Sequence, residues 1–412
     1  MQGQSKGSKR NCERVALSDQ KIIGARAINF TFNAAASLLN CACMKISQLQ
    51  WTAEKNWVGG NDLPDAQLVL AFGDHEYFHS AECFAQLRKR FPKACVAGCS
   101  SSGNVQGSKI SDKDIVATAV RFDHGRVRLV SFDVAPGADI AEISRTMVAQ
   151  LKADDLRHVL VFSDGLCVNG SELAFGLKSC GVPVTGGLAG DAERFGTTWV
   201  MANEKASAKR IVLVGLYGQV TVNNSYCSGW TEFGAERIVT KSVGNVVSEI
   251  DGQPALALYK KYLGELASSL PGSGMRFPLN ILTPEGDHSL IRTLLAVNEA
   301  AQSLTFAGDV PQGSRCKLMR TNLDRLIESA DVAAQQARPK NSSEGLCVIV
   351  SCVGRRIVLG QLTEEELEAV ERHAGVAMKL TGFYSYGELA PVRDVLQCHL
   401  HNQTMSLTTI QE

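Results

Sequence analysis

A thiol, a guanidinium, two phenols and two imidazoles are the groups through which this chain could bind or transform a small molecule. Cys99 follows Gly98 at the end of an apolar run. A nucleophilic thiolate there needs a helix N-terminus and a nearby histidine to lower its pKa. Cysteine is also among the most buried residue types, so the same position suits an inert core thiol. Arg237 presents a planar fork that takes a carboxylate through two parallel hydrogen bonds, or an ion pair with a residue such as Glu388. Tyr384 and Tyr386 lie two apart in GFYSYGE, so an extended strand puts them on one face, to stack on a planar ligand or to pack. In Cys398-His399-Leu400-His401, strand alternation sends both imidazoles to one face and the thiol to the other. Two converging donors fall short of the four that structural zinc needs, and no CxxC pair supplies the rest. His401 can equally hydrogen-bond Asn402 and order the strand.

The elements that must position these groups show a repeat. LVLAFGD (68 to 74) leads through AECFAQLRKRF to ACVAGCSSSG (94 to 103). HVLVFSDG (158 to 165) leads through SELAFGLKSCG to VPVTGGLAGD, and LCVIVSCVG (346 to 354) leads through TEEELEAVERHAG to MKLTGFYSYGE. Each reads strand, helix, strand, and each second strand ends in a small residue followed by glycine, with Gly187 and Gly382 in the later two units. Glycine at such a turn permits a positive φ or a close approach of backbone to ligand. GCSSSGNV and GDVPQGSR lack the Lys-Ser/Thr pair of a phosphate loop and read as turns. Thr363 with Glu366 makes a capping box closed by Gly375, Asn322 caps a helix over 323–337 that Pro339 stops, and Pro254 opens ALALYKKYLG. DIVATAV, RIVLVGLYG and MSLTTI read as strands. The fold class is α/β, with mixed sheets, packed helices, two domains and an internal repeat of strand-helix-strand units.

Composition narrows the function. The chain has 412 residues, 45% hydrophobic and 20% charged, enough for two cores and too apolar for disorder. Lys and Arg number 42 against 42 Asp and Glu, and a pI of 7.1 argues against a nucleic-acid binder. Apolar runs are strand-length, so stable membrane insertion is not expected. Thirteen cysteines without paired spacing fit reduced thiols in a cytoplasm. Residues 1–43 carry a net charge of +4 and read as a disordered extension or a mis-called start, with Met44 of MKISQLQWT as the natural beginning. The body then divides into 44–264 and 265–412.

The blocks SYCSGWTEFGAERIVTKSVGNVVSEIDGQPALALYKKYLG, GGLAGDAERF, SLTFAGDVPQGSRCKLM, CVGRRIVLGQLTEEEL, TGFYSYGE and CHLHNQTMSLTTI occur in the order of a known family. The chain resembles FIST proteins, bacterial sensors with paired FIST N and FIST C domains. That resemblance implies a non-enzymatic ligand sensor whose signal passes to a histidine kinase, a chemoreceptor or a diguanylate cyclase/phosphodiesterase. A branch of stand-alone relatives binds heme and senses nitric oxide, and His401, within the family block LHNQTM, is the axial-ligand candidate, since heme needs one protein imidazole. The ligand site is expected between the two domains, bordered by Gly187, Gly382 and Arg237, with Tyr384, Tyr386, Glu388 and Asn402 as candidates. A small carboxylate such as an amino acid, a cysteine-dependent enzyme using Cys99, and a ligand-free interaction scaffold are the alternatives.

Overall fold

The computed structural model describes residues 44–284, 289–338, 344–375, 377–392 and 396–412. The expectations for residues 1–43 and for Pro339 lie outside the described residues, as does His288. Each of the three repeated units forms a parallel strand pair: Leu68–Gly73 with Cys95–Ser100, Leu156–Ser163 with Val184–Leu188, and Gly345–Cys352 with Met378–Ser385. An antiparallel strand flanks the first member of each pair, namely Ile115–Arg121, Arg210–Tyr217 and Met405–Gln411. The joining helices are Ala81–Arg90, Gly170–Leu177, and in the third unit Val353–Leu359 followed by Thr363–Ala374. Two begin on side-chain caps: Ser80 Oγ accepts the Cys83 N–H at 3.3 Å, and Asn169 Oδ1 accepts those of Ser171 and Glu172 at 2.8 and 3.3 Å.

Each sheet is then extended by chain that has just left another unit. After the first unit, Asn104–Gln106 pairs with Met378–Ser385 of the third. Val200–Ala202, after the second, pairs with Cys95–Ser100 of the first, and Gly387–Pro391, after the third, pairs with Val184–Leu188 of the second. The exchange is cyclic. Residues on both sides of position 264 consequently share sheets, and the three six-stranded sheets bury one core between them.

At the centre of that core stand Phe72, Phe162 and Phe383, with ring centroids 4.8 to 6.0 Å apart. Burying each ring stabilises the fold by about 1.5–3 kcal/mol. Phe72 and Phe162 lie on first strands opposite Cys99 and Gly187, whereas the third unit reverses the arrangement, with Val350 on the first strand and Phe383 on the second. One large ring per unit therefore fits. A Cβ on Gly187 would sit 2.7 Å from Val350 Cγ1 and 3.3 Å from Phe383 Cζ. Gly98, Gly186 and Gly382 face Ala71, Val161 and Ile349 at matching registers, where any Cβ would overlap the neighbouring carbonyl oxygen. Tight strand packing accounts for the repeated glycine signature.

Helices cover the outer faces of the three sheets, Leu323–Gln336 among them, started by Asn322 Oδ1 on the Arg325 N–H at 2.9 Å. A fourth, antiparallel sheet of eight strands, from Thr231–Val243 to Arg315–Arg320, packs its own core against the helix Ala255–Leu263. The capping box expected at Thr363 does not form. Leu362 holds the cap position, and Glu366 is drawn into the core, where it pairs with Arg355 at 2.7 Å and accepts bonds from Ser351 and Tyr384. No helix among the described residues is long and apolar enough to cross a membrane.

Candidate functional site

A cleft of about 390 Å³ opens where three elements meet. The segment 165–170, which leads into the helix Gly170–Leu177, forms one side. Strand ends, turns and a short 3-10 helix around the eight-stranded sheet, carrying Asn245, Met275, Thr293, Leu295 and 306–309, form another. The third side comes from Cys352 to Gly354, Tyr386, Leu400 and Asn402. Sequence on both sides of position 264 thus supplies the walls.

Its mouth is apolar. Leu166, Phe195 and Leu295 are 38%, 41% and 39% exposed there, unusual for large apolar side chains clustered at one opening. Phe195 stacks on Tyr386 with ring centroids 4.8 Å apart and planes 14° from parallel. The loop that carries Phe195 is wrapped around the buried Asp191, which accepts the backbone N–H groups of Phe195, Gly196 and Thr197 at 2.8 to 2.9 Å and a hydrogen bond from the Tyr386 hydroxyl. Phe195 and Ala192 both hold positive φ, at 48° and 64°. Such conformations cost a non-glycine residue free energy that the surrounding bonds must offset.

The polar lining is sparse. Thr293 is 5% exposed, and its Oγ1 makes no hydrogen bond among the described residues. Asn402 is buried beside it, its Oδ1 accepting the Thr293 N–H at 3.4 Å. Asp309 accepts a bond from Asn169 Nδ2 at 3.3 Å. Beneath the wall Arg292 is 3% exposed and donates to the main-chain oxygens of Asp309, Ile291 and Leu400 at 2.9 to 3.1 Å. Burial lowers its pKa to about 10. The thiols of Cys167 and Cys352 line the cleft and are pushed upward, chiefly by burial, so both stay protonated at neutral pH.

Of the residues singled out from the sequence, Tyr386 and Asn402 reach this cleft. Arg237 does not. It lies on the eight-stranded sheet at a small separate hollow, where it pairs with Asp251 at 2.9 Å, not with Glu388, and donates to the Tyr262 hydroxyl. Gly187 and Gly382 serve strand packing, as their surroundings require. Tyr384 and Tyr386 share no face, because the strand ends at Ser385. Tyr384 turns into the third sheet's outer core and donates to Glu366 at 2.7 Å. Glu388 is wholly buried, accepting bonds from Ser385 Oγ and from the backbone and hydroxyl of Thr404, and burial raises its pKa to about 7. Cys99 sits in the central core with its thiol raised well above the ordinary range by burial, the opposite of an activated nucleophile.

His401 is 3% exposed, with its ring 4.2 Å from that of Tyr226 and Nε2 at 3.2 Å from the Ala390 carbonyl oxygen. It does not line the cleft, and no other histidine among the described residues does. These residues do not fit a heme held by His401. Sequence reasoning passed over Asn169, Phe195, Thr293 and Asp309. Asp309 belongs to GDVPQGSR, whose glycines mark a turn without showing what the turn faces, and Asn169 precedes a helix that reads as an ordinary capped start.

Comparison with known proteins gives the family. The FIST N domain model matches residues 67–253 and the FIST C domain model matches residues 255–391. An uncharacterized protein of Methanocaldococcus jannaschii is 23% identical over 357 residues, covering 77% of this chain and 68% of the relative. Among solved structures, a chorismatase aligns over 90% of this chain and 99% of its own at 9% identity and a TM-score of 0.32. A cyanuric acid hydrolase from A. caulinodans aligns over 89% and 98% at 9% identity and a TM-score of 0.33. Both superpositions are too loose to bear on chemistry. The two matched models together span most of the sequence, and the chain belongs to the FIST family of sensory-type domains.

Proposed function

We propose that this protein is a non-enzymatic sensor that binds a small organic molecule in the cleft lined by Asn169, Thr293, Asp309, Tyr386 and Asn402. The observation that carries this reading is the cluster of exposed Leu166, Phe195 and Leu295 around a concave opening, with the buried, unpartnered hydroxyl of Thr293 in its wall. Apolar walls with a few convergent polar groups are the usual form of a ligand site. The buried, protonated thiols of Cys99 and Cys352 support binding over covalent catalysis.

Relay to a partner needs two states with different affinity for it. The loop from Asp191 to Trp199 fits that task, since Phe195 borders the cleft while Arg194, Thr197 and Trp199 border a separate open hollow with His75 and His79. A ligand seated against Phe195 would bias this loop, and the second hollow would present the change to a signalling enzyme such as a histidine kinase or a cyclic-dinucleotide enzyme. A thermal-shift panel of amines, amino acids, carboxylates, nucleosides and heme tests the reading, run on the wild type and on Ala307→Trp, which places an indole in the cleft. At least one compound is expected to stabilise the wild type and to lose its effect in the variant. Stabilisation that persists in Ala307→Trp, or none from any compound, would overturn it.

A further inference from the structure

The charge in the cleft restricts what it takes. Among the described residues lining it, Asp309 supplies the acidic side chain, and no Lys, Arg or His contributes. Its carboxylate accepts one hydrogen bond, from Asn169 Nδ2, and has no Lys, Arg or His nitrogen within 4.0 Å among the described residues. A carboxylate has room for several donors, so most of its accepting capacity is unused. A ligand that closes over it removes water from an ionised group, which is costly unless the ligand brings positive charge. The Arg292 guanidinium lies behind the wall, engaged with three main-chain oxygens; it feels the Asp309 charge but makes no ion pair with that carboxylate and does not reach the lining. Glu172 adds negative potential beside Asn169. Its own carboxyl is raised by burial first and then by Asp309 and Asp139, which lie along the same side.

The remaining lining says what the rest of the ligand must be. The Phe195–Tyr386 stack gives a flat apolar platform at the mouth, flanked by Leu166 and Leu295. Aromatic faces attract both rings and cations. In the wall of the cleft the Thr293 hydroxyl is buried without a hydrogen-bond partner among the described residues, and a hydroxyl accepts as well as donates.

We infer that the cleft selects an aryl-alkyl amine, a planar apolar ring joined by a short chain to a protonated amine and lacking a carboxylate. Its ammonium lies on Asp309, its ring on the Phe195–Tyr386 stack, and Thr293 accepts a further N–H. This inference rests on the sensory reading of the same cleft. It departs from a carboxylate ligand anchored by Arg237, because that arginine is elsewhere and a carboxylate here would meet Asp309.

Calorimetric titration of the full chain with 2-phenylethylamine, phenylalanine and phenylacetate tests it. The amine is expected to bind tightest, the amino acid more weakly and the acid least. Asp309→Asn keeps the shape and the acceptor for Asn169, and is expected to weaken amine binding by about tenfold to a hundredfold. Asp309→Glu retains the charge and is expected to keep measurable binding, which separates loss of charge from loss of fold. Equal affinity for phenylacetate, unchanged affinity in Asp309→Asn, or no binding of the amine overturns the inference. If phenylacetate or phenylalanine binds instead and Ala307→Trp abolishes that binding, the cleft remains the ligand site and the charge preference alone fails. When none of the three binds and the wider panel is also silent, the sensory reading fails with it.

Discussion

The second repeated unit contributes to both the centre of the molecule and the cleft, within a few residues of each other, under opposite rules. At Gly186 and Gly187 the chain is squeezed between the Val161 carbonyl on one side and Val350 and Phe383 on the other, so no side chain fits. Eight residues on, Phe195 is a large ring held half in water on a positive φ, stacked on Tyr386 and tethered through Asp191. The first arrangement maximises close packing; the second spends stability to present a surface. Glycine in this family pattern therefore marks the scaffold, and the cleft opens where packing stops.

Paired substitutions separate the two regions. Phe383→Ala removes one of the three central rings and should destabilise the protein by about 3–5 kcal/mol, seen as a large fall in Tm or denaturant midpoint. Phe195→Ala should change stability by no more than about 1 kcal/mol and weaken ligand binding instead. Comparable losses of stability in both would erase the distinction.

Glu388 provides a pH-dependent contrast, since it ties Ser385 and Thr404 together inside the scaffold with Arg355 and the Cys352 thiol as ionisable neighbours. Its folded pKa of about 7 exceeds the ordinary value of 4.5. The folded state thus holds the proton more tightly than the unfolded chain. Its contribution is fully present below pH 4.5 and is lost as pH rises to about 7, amounting to about 3 kcal/mol, and it is flat above that. Denaturant midpoints measured across this range should fall with pH in the wild type by more than in Glu388→Gln. Identical slopes would show that the carboxyl is not raised.

Arg237→Ala carries the smallest expected effect. The side chain is half-buried at the surface and its ion pair with Asp251 is partly open to solvent, so ligand affinity should be unchanged and Tm nearly so. A clear loss of affinity would move the site to the eight-stranded sheet.

The scaffold was largely legible in the sequence because period and spacing are local. The three strand-helix-strand units, the Asn322 cap and the strands Arg210–Tyr217 and Met405–Gln411 all follow from residues close together in the chain. The cyclic exchange of strands was not, since nothing local tells Asn104–Gln106 to pair with a strand that begins at Met378. Glu366 shows the same limit, because a capping box depends on four residues whereas its burial depends on Arg355, Ser351 and Tyr384. Of the site, Tyr386 and Asn402 were legible through the family blocks. Thr293 and Asp309 were not, because Thr293 lies in no such block, the block that holds Asp309 reads only as a turn, and both gain meaning from the segment 165–170 across the cleft.

Hydrogen–deuterium exchange of the wild type, free and saturated with the tightest-binding small molecule, tests the central claim directly. Backbone amides that a ligand encloses or steadies exchange more slowly. The account predicts added protection in 165–170, 191–199 and 293–309, and none around Arg237 and Tyr262. Protection centred on Arg237, or binding without protection in those three segments, would contradict it.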